Sequence, residues 1–175
     1  YQTTSHVFDS ADHAASLFNL QTFGNVYSRL SNPTVAVLEQ RVAALEGGRA
    51  AVACASGMAA EAMALMTLLQ SGDHVVAAGA LYGGSVTMLA VNLKKFGIHT
   101  TFVDATRPEA FAAAMQPNTR AVFAESLGNP SLQLLDIQAV ADVAHAHGVP
   151  LIVDNTVPSP FLCNPFRFGA DIVVH

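Results

Sequence analysis

At 175 residues the chain is long enough for one domain with a substantial buried core. It is 51% hydrophobic and only 12% charged with a net charge of -5, so nucleic acid or an anionic membrane would find no basic stripe to bind. No apolar run nears the roughly 20 residues of a membrane span, and Cys54 and Cys163 stand too far apart in sequence for a zinc-ligand spacing or a disulfide framework, which makes a reducing cytoplasm the expected compartment.

Weak periodicity over the first thirty residues, rich in Thr, Ser, Asn and aromatics, predicts an arm rather than a packed element. Asn32-Pro33 then opens a helix: Asn caps, Pro takes the first helical position, Val35, Leu38, Val42 and Leu45 form an apolar face, and Gly47-Gly48 closes it. Strand and helix patterns alternate from there. Ala50 to Cys54 predicts a strand, followed by a helix from about Gly57 to Leu69. Val75 to Ala78 and Ile98 to Val103 predict two further strands, separated by a helix that runs through Lys95. Thr106-Arg107-Pro108-Glu109 has the spacing of a capping box for the next helix. Arg120 to Ala124, Leu151 to Val153 and Ile172 to Val174 complete the strands, and a helix from about Asp136 to His147 ends at Gly148. The fold class is therefore α/β, a mostly parallel sheet with helices on both faces. Its first residue, Tyr1, and its final strand pattern give the expectation of a piece of a longer polypeptide.

In such sheets ligands bind beyond the carboxyl ends of the strands. Ser56-Gly57-Met58 there opens a helix, either as an anion site built from backbone N–H groups or as an ordinary Ser-capped start. Tyr82 beside Gly83-Gly84 can lay its ring on a flat heteroaromatic ligand, or simply pack at a rim. Asp154 follows the apolar Leu151-Ile152-Val153, where a carboxylate needs a partner such as a pyridinium N–H unless it caps the following turn. A dinucleotide is the weaker ligand, because no Gly-x-Gly-x-x-Gly turn or Gly-Lys-Ser/Thr loop is present. His145 and His147, two apart on a helix, do not share a face for a metal and favour the negative helix end instead; no metal site is expected. Met58, Met63 and Met66 are expected on a buried helix face, and the two cysteines as core thiols.

The segments Gly24 to Thr34, Leu45-Glu46-Gly47-Gly48, Ser56 to Ala60, Leu81 to Gly84, Glu125 to Pro130 and Val153 to Thr156 together resemble the pyridoxal-phosphate enzymes of cysteine and methionine metabolism, of fold type I. The resemblance implies an incomplete large, cofactor-binding domain over residues 33–175, preceded by an arm over residues 1–32 that reaches a neighbouring subunit of a homodimer or homotetramer. It implies pyridoxal 5'-phosphate as cofactor and an amino acid as small-molecule substrate. Gly57 and Met58, beside Ser56, would hold the phosphate through backbone N–H groups, Tyr82 would stack on the ring, and Asp154 would keep the ring nitrogen protonated. Asn129 would contact the ring hydroxyl side and the substrate carboxylate, with Glu125 in support and Thr156 among the cofactor contacts. Tyr27 and Arg29 would cross to the phosphate of the neighbouring subunit, so that active sites are shared, and Tyr82 and Tyr27 are the candidate catalytic residues.

The family's Ser-x-Thr-Lys motif, whose lysine binds the cofactor covalently, is expected directly after His175, so residues 1–175 alone are expected to be inactive. Glu125-Ser126-Leu127-Gly128-Asn129-Pro130, Phe161 to Pro165 and Phe23-Gly24-Asn25 resemble the O-acetylhomoserine sulfhydrylase branch. That branch implies gamma-replacement on O-acetyl-L-homoserine by sulfide or methanethiol. Cystathionine gamma-synthase or C–S lyase chemistry, and a noncatalytic module that keeps the pocket without the lysine, are the alternatives.

Overall fold

Short strands flanked by helices give a single parallel sheet in the computed structural model, which describes residues 1–175. The chain divides into two compact units, Tyr1–Ala53 and Cys54–His175.

In the first unit, α1 (Ala11–Phe18) lies where the sequence predicts only an arm. Ser10 makes it possible, its hydroxyl accepting the His13 N–H at 3.0 Å, and the following Ala-rich segment has good helix propensity. The segment before α1 pairs with the segment around Tyr27: Ser5 bridges Tyr27 in antiparallel sense, and the Ser28 N–H donates to the Thr4 carbonyl at 2.8 Å. α2 (Pro33–Glu46) begins and ends as predicted, with the Asn32 side chain accepting from the Thr34 N–H and Gly47 in the left-handed conformation at φ 73°. Ala50 to Cys54 does not form the expected strand. It pairs with no strand, and the Ala53 N–H donates to Glu39 Oε1 instead.

The second unit begins with α3 (Gly57–Leu68), followed by β1 (His74–Ala78) and α4 (Gly83–Thr87). A π turn over Met88–Asn92 and a 3₁₀ turn over Leu93–Phe96 continue α4, interrupting the uniform helix expected through Lys95. Next come β2 (His99–Val103), α5 (Pro108–Ala114), β3 (Thr119–Glu125), α6 (Ile137–Ala146) and β4 (Leu151–Asp154). The short α7 (Ser159–Leu162), a 3₁₀ turn and β5 (Ile172–Val174) end the unit. The strand order is β2-β1-β3-β4-β5, all parallel. Right-handed crossovers put α4 on one face and α5 and α6 on the other, which agrees with α3 packing on α4 and α5 on α6. Between the layers Leu65, Val75, Val76, Leu89, Phe111, Val122, Phe123, Val140, Leu151 and Ile152 are fully buried.

Two local expectations change, the capping box and the buried methionines; the positions of His74, His145 and His147 are also defined. The capping box at 106–109 does not form: Arg107 is the cap residue of α5, and the Thr106 hydroxyl donates to Asp104 at 2.7 Å. Met63 and Met66 stand 50% and 53% exposed, because α3 is apolar on all sides and buries only part of its surface in this unit. His145 pairs with Asp171 at 2.9 Å, while His147 Nδ1 bonds the Val143 carbonyl at 2.8 Å. His74 is buried at the amino end of β1 between the hydroxyls of Thr119 and Thr101, at 2.8 and 2.9 Å; burial, then the charge of His99, holds its pKa below the usual imidazole value.

Candidate active site

The chain leaves β1 in one direction to form β2 and then returns to the other side of β1 to form β3, so the strand order reverses between β1 and β3. Open parallel sheets bind ligands outside the carboxyl ends of the strands at such a point. Tyr82 follows β1, Glu125 ends β3 and Asp154 ends β4, the last two lying directly opposite each other in register. The topology therefore gathers these three predicted residues at one edge of the sheet.

Glu125 braces this edge. Its Oε1 accepts the Tyr82 N–H at 2.6 Å and its Oε2 accepts the Asn129 N–H at 3.0 Å, so one buried carboxylate ties the loop after β1 to the loop after β3. Burial pushes its pKa up; the two backbone N–H groups oppose that shift, and the Asp154 charge adds to it. Both oxygens are engaged by the chain itself, which makes Glu125 a support for Tyr82 and Asn129. The Tyr82 ring, 51% exposed, is left at the rim beside Gly84. A Cβ on Gly84 would stand 2.5 Å from Tyr82 Cε1 and 3.1 Å from Met58 Sδ, so a glycine here lets the Tyr82 ring and the Met58 side chain converge.

The start of α3 lies at the same end of the sheet. A Cβ on Gly57 would meet the His175 carbonyl oxygen at 3.0 Å, which puts the first turn of α3 beside the exit of β5. Ser56 spends its hydroxyl oxygen as the N-cap acceptor for the Ala59 N–H at 3.1 Å. The Gly57 and Met58 N–H groups, which open the helix, have no intrahelical acceptor by position and present the positive end of the dipole.

Asp154 is half-buried, its Oδ1 accepting the Thr156 N–H at 2.7 Å. Thr156 itself is exposed, and so is Asn129. Three residues the sequence reading passed over hold this corner. Ser126 donates to Asn155 Oδ1 at 2.8 Å, and Asn155, fully buried, donates to the Cys163 carbonyl at 2.9 Å, which locks the chain after β4 against that after β3. Glu61, in the second turn of α3, faces Asp154 and Glu125 and receives the Ser85 hydroxyl at 2.9 Å. A lone acid in the mostly apolar Gly57–Leu68 was the available signal for Glu61; Ser126 and Asn155 lie in segments that carry the resemblance, but nothing there announced the bond between them. Tyr27 and Arg29 belong to the first unit, where the Arg29 guanidinium lies 5.5 Å from the centre of the Tyr27 ring.

Glu61, Glu125 and Asp154 converge without any cluster of three or more side chains suited to hold a metal ion. An acidic corner of this kind, with a helix start able to take an anion and an exposed aromatic ring nearby, fits a flat ligand with a cationic N–H at one end and a phosphate at the other. The family described as Cys/Met metabolism PLP-dependent enzyme matches over residues 1–175.

The chain belongs to that family.

Its members depend on pyridoxal 5'-phosphate, and the residues present fit that group. Over the whole chain it is 57% identical to the O-acetyl-L-homoserine sulfhydrylase of Leptospira meyeri, covering 40% of that protein. It is 51% identical to the enzyme of the same name from Corynebacterium glutamicum, with 99% of this chain and 40% of that protein covered. A crystal structure from Campylobacter jejuni, described as an O-acetylhomoserine (thiol)-lyase with a pyridoxyl-lysine monophosphate, superposes with a TM-score of 0.96 at 45% identity, covering 100% of this chain and 43% of that one. The chain thus spans about 40% of the length of these curated relatives, and its truncated α/β large domain is that of fold type I pyridoxal-phosphate enzymes. No helix is long and apolar enough to cross a membrane.

Proposed function

We propose that the protein to which residues 1–175 belong is a cytoplasmic gamma-replacement enzyme converting O-acetyl-L-homoserine and sulfide into homocysteine and acetate, with methanethiol as an alternative donor that yields methionine. The observation that carries the reading is the acidic corner at the β1–β3 switch point, joined to 57% identity with an O-acetyl-L-homoserine sulfhydrylase.

Pyridoxal phosphate, when bound, supplies an electron sink for the carbanion formed next to the substrate carboxylate. This chain's own residues then divide the work. The Gly57 and Met58 N–H groups, with Ser56 capping the helix behind them, hold the phosphate. Asp154 pairs with the ring N–H, its position set by the Thr156 backbone, and the exposed Tyr82 ring covers the cofactor plane. The Tyr82 phenol moves a proton near the gamma carbon as the acetate oxygen leaves and the sulfur adds. Asn129, held through its N–H by Glu125, contacts the substrate carboxylate. Tyr27 and Arg29 serve the phosphate of a neighbouring subunit in a homodimer or homotetramer, with Tyr27 near that subunit's reaction. A lysine beyond His175 supplies the covalent link.

Mass spectrometry of products tests this on the full-length protein. Homocysteine and acetate in equal amounts from O-acetyl-L-homoserine plus sulfide are expected, and borohydride reduction of the cofactor-loaded protein should label a lysine past His175. Cystathionine from O-succinylhomoserine and cysteine as the dominant product would replace the reading with a cystathionine synthase, and no labelled lysine would replace it with a binding module.

A further inference from the structure

Glu61 is the most deeply buried acid near the site, 2% exposed, on a helix otherwise built from small and apolar residues. One oxygen is satisfied: Oε1 accepts from the Ser85 hydroxyl, itself fully buried in α4, at 2.9 Å. The other oxygen, Oε2, is buried with no hydrogen-bond donor. A buried carboxylate oxygen without a donor is costly, and such atoms in folded proteins call for an explanation. The neighbouring acid of Glu61 is no donor either: it is the carboxylate of Asp154. Two facing carboxylates repel unless one of them holds a proton, and then the same contact becomes a strong O–H···O⁻ hydrogen bond.

We propose that Glu61 is the positioning residue of the cofactor site: it carries a proton on Oε2 and donates it to Asp154, fixing that carboxylate so that its remaining lone pairs face the cofactor's ring N–H. The inference rests on the pairing of Asp154 with the ring nitrogen proposed above. It accounts for three facts together. Ser85 is buried and donates to Oε1, the oxygen left as acceptor when Oε2 bears the proton. The Thr156 N–H holds the Asp154 Oδ1, so Glu61 completes a second point of fixation. Glu61 is also pushed up to about 7, first by desolvation on burial, then by the hydrogen bond to Asp154 and the charges of Asp154 and Glu125, against the Ser85 hydroxyl. The charged groups facing it are Asp154 from β4 and Glu125 from β3; α4 presents Ser85, and β5 presents only Ile172 to Val174. His175 lies a turn earlier, beside Gly57.

The test uses the full-length protein stripped of cofactor, titrated with pyridoxal 5'-phosphate and followed by protein fluorescence. Glu61→Gln keeps a donor towards Asp154 without titrating, and Glu61→Met keeps the volume without a donor. We expect Glu61→Gln to bind within about threefold of the wild type and Glu61→Met at least about tenfold more weakly, a loss of roughly 1.4 kcal/mol. Glu61→Met should unfold no more readily than the wild type, since an apolar side chain replaces an acid in an apolar helix. A merely structural role would lower stability and affinity together. In the cofactor-free wild type, stability should fall as pH rises from about 5 to 8, because the folded state keeps a proton that the unfolded state releases near its ordinary pKa. Glu61→Gln should flatten that slope in both the wild-type and the His175→Asn backgrounds. In an Asp154→Asn background, Glu61→Met should cost no further affinity. Equal affinity for Glu61→Met and the wild type, while Asp154→Asn binds at least tenfold more weakly, overturns this inference alone. Wild-type affinity in Asp154→Asn overturns it together with the role of Asp154.

Discussion

Glu125→Gln is the substitution that best separates a brace from a ligand. In the wild type each carboxylate oxygen receives one backbone N–H, from Tyr82 at 2.6 Å and from Asn129 at 3.0 Å. A hydrogen bond to a charged group contributes about 1.5–3 kcal/mol. A glutamine can accept only one of the two N–H groups and must turn its own NH₂ towards the other, so one charged bond is lost and the second becomes neutral, a gross loss of about 2–4 kcal/mol. Against this, the variant no longer buries a charge, whose cost is visible in the upward push that burial gives the Glu125 pKa. Removing that burden and the repulsion from Asp154 returns about 1 kcal/mol, leaving a net local destabilisation of about 1–3 kcal/mol. Hydrogen exchange of the full-length protein, read by mass spectrometry, reports the loops directly. Peptides covering residues 80–84 and 126–131 should exchange about 5–150-fold faster in Glu125→Gln, the equivalent of 1–3 kcal/mol, while peptides from α5 and α6 stay unchanged. Pyridoxal phosphate should also bind more weakly, because Tyr82 and Asn129 lose their common anchor. Unchanged exchange in both loops would refute the brace, and slow exchange combined with lost affinity would make Glu125 a direct cofactor contact.

Gly84→Ala puts a methyl group 2.5 Å from Tyr82 Cε1, so the ring must turn; since flexible side chains meet the clash, the melting temperature should move by only about 2 °C while turnover falls at least about tenfold. Unchanged turnover would remove the Tyr82 ring from the chemistry. Gly57→Ala meets backbone instead, the His175 carbonyl at 3.0 Å, and should weaken pyridoxal phosphate binding about tenfold, whereas a normal dissociation constant would count against a phosphate at this helix start. His74, buried and held below the usual imidazole pKa, takes up its proton in the unfolded chain before the folded one. Stability therefore drops as pH falls below about 6.5, and His74→Gln should soften that acid limb; an identical limb in pH-dependent melting would deny His74 the role.

The alternation of Val75 to Ala78, Arg120 to Ala124 and Leu151 to Val153 with helical segments was readable because each run is short, apolar and bounded by turn residues, and all three are strands of the sheet. Asn32 and Gly47 announced α2 for an equally local reason, since a cap bonds within its own turn. Ala50 to Cys54 has the same apolar character yet stays outside the sheet, because a strand exists only through its partner and pairing is not written in a run of apolar residues. Thr106 fits the capping spacing but bonds Asp104, two residues back, where an acceptor was nearer. At the candidate site, the positions of Tyr82 and Asp154 were legible because topology assigns strand ends a role, whereas Gly57 reaches the same end without the strand expected before it. The brace from Glu125 to Tyr82 spans 43 residues and the Ser126–Asn155 bond 29, distances over which sequence carries no local signal.

The arrangement has an energetic logic of its own. Glu61, Glu125 and Asp154 gather on one side of the site with one hydroxyl and three backbone N–H supports but no basic side chain among the groups that shift Glu61. Left to itself that corner is held together by Ser85, by the N–H groups of Tyr82, Asn129 and Thr156, and by the proton assigned to Glu61. A cationic N–H placed against Asp154 supplies the missing positive partner, so binding and folding are linked. A ligand at 100 times its dissociation constant stabilises the state it binds by about 2.7 kcal/mol. The cofactor-loaded full-length protein should accordingly exceed its cofactor-free form by at least that much under saturating pyridoxal phosphate. If a full-length variant with the covalent lysine replaced kept the gain on binding pyridoxal phosphate, the stabilisation would lie in these noncovalent contacts. A gain that required the covalent bond would transfer it to the lysine.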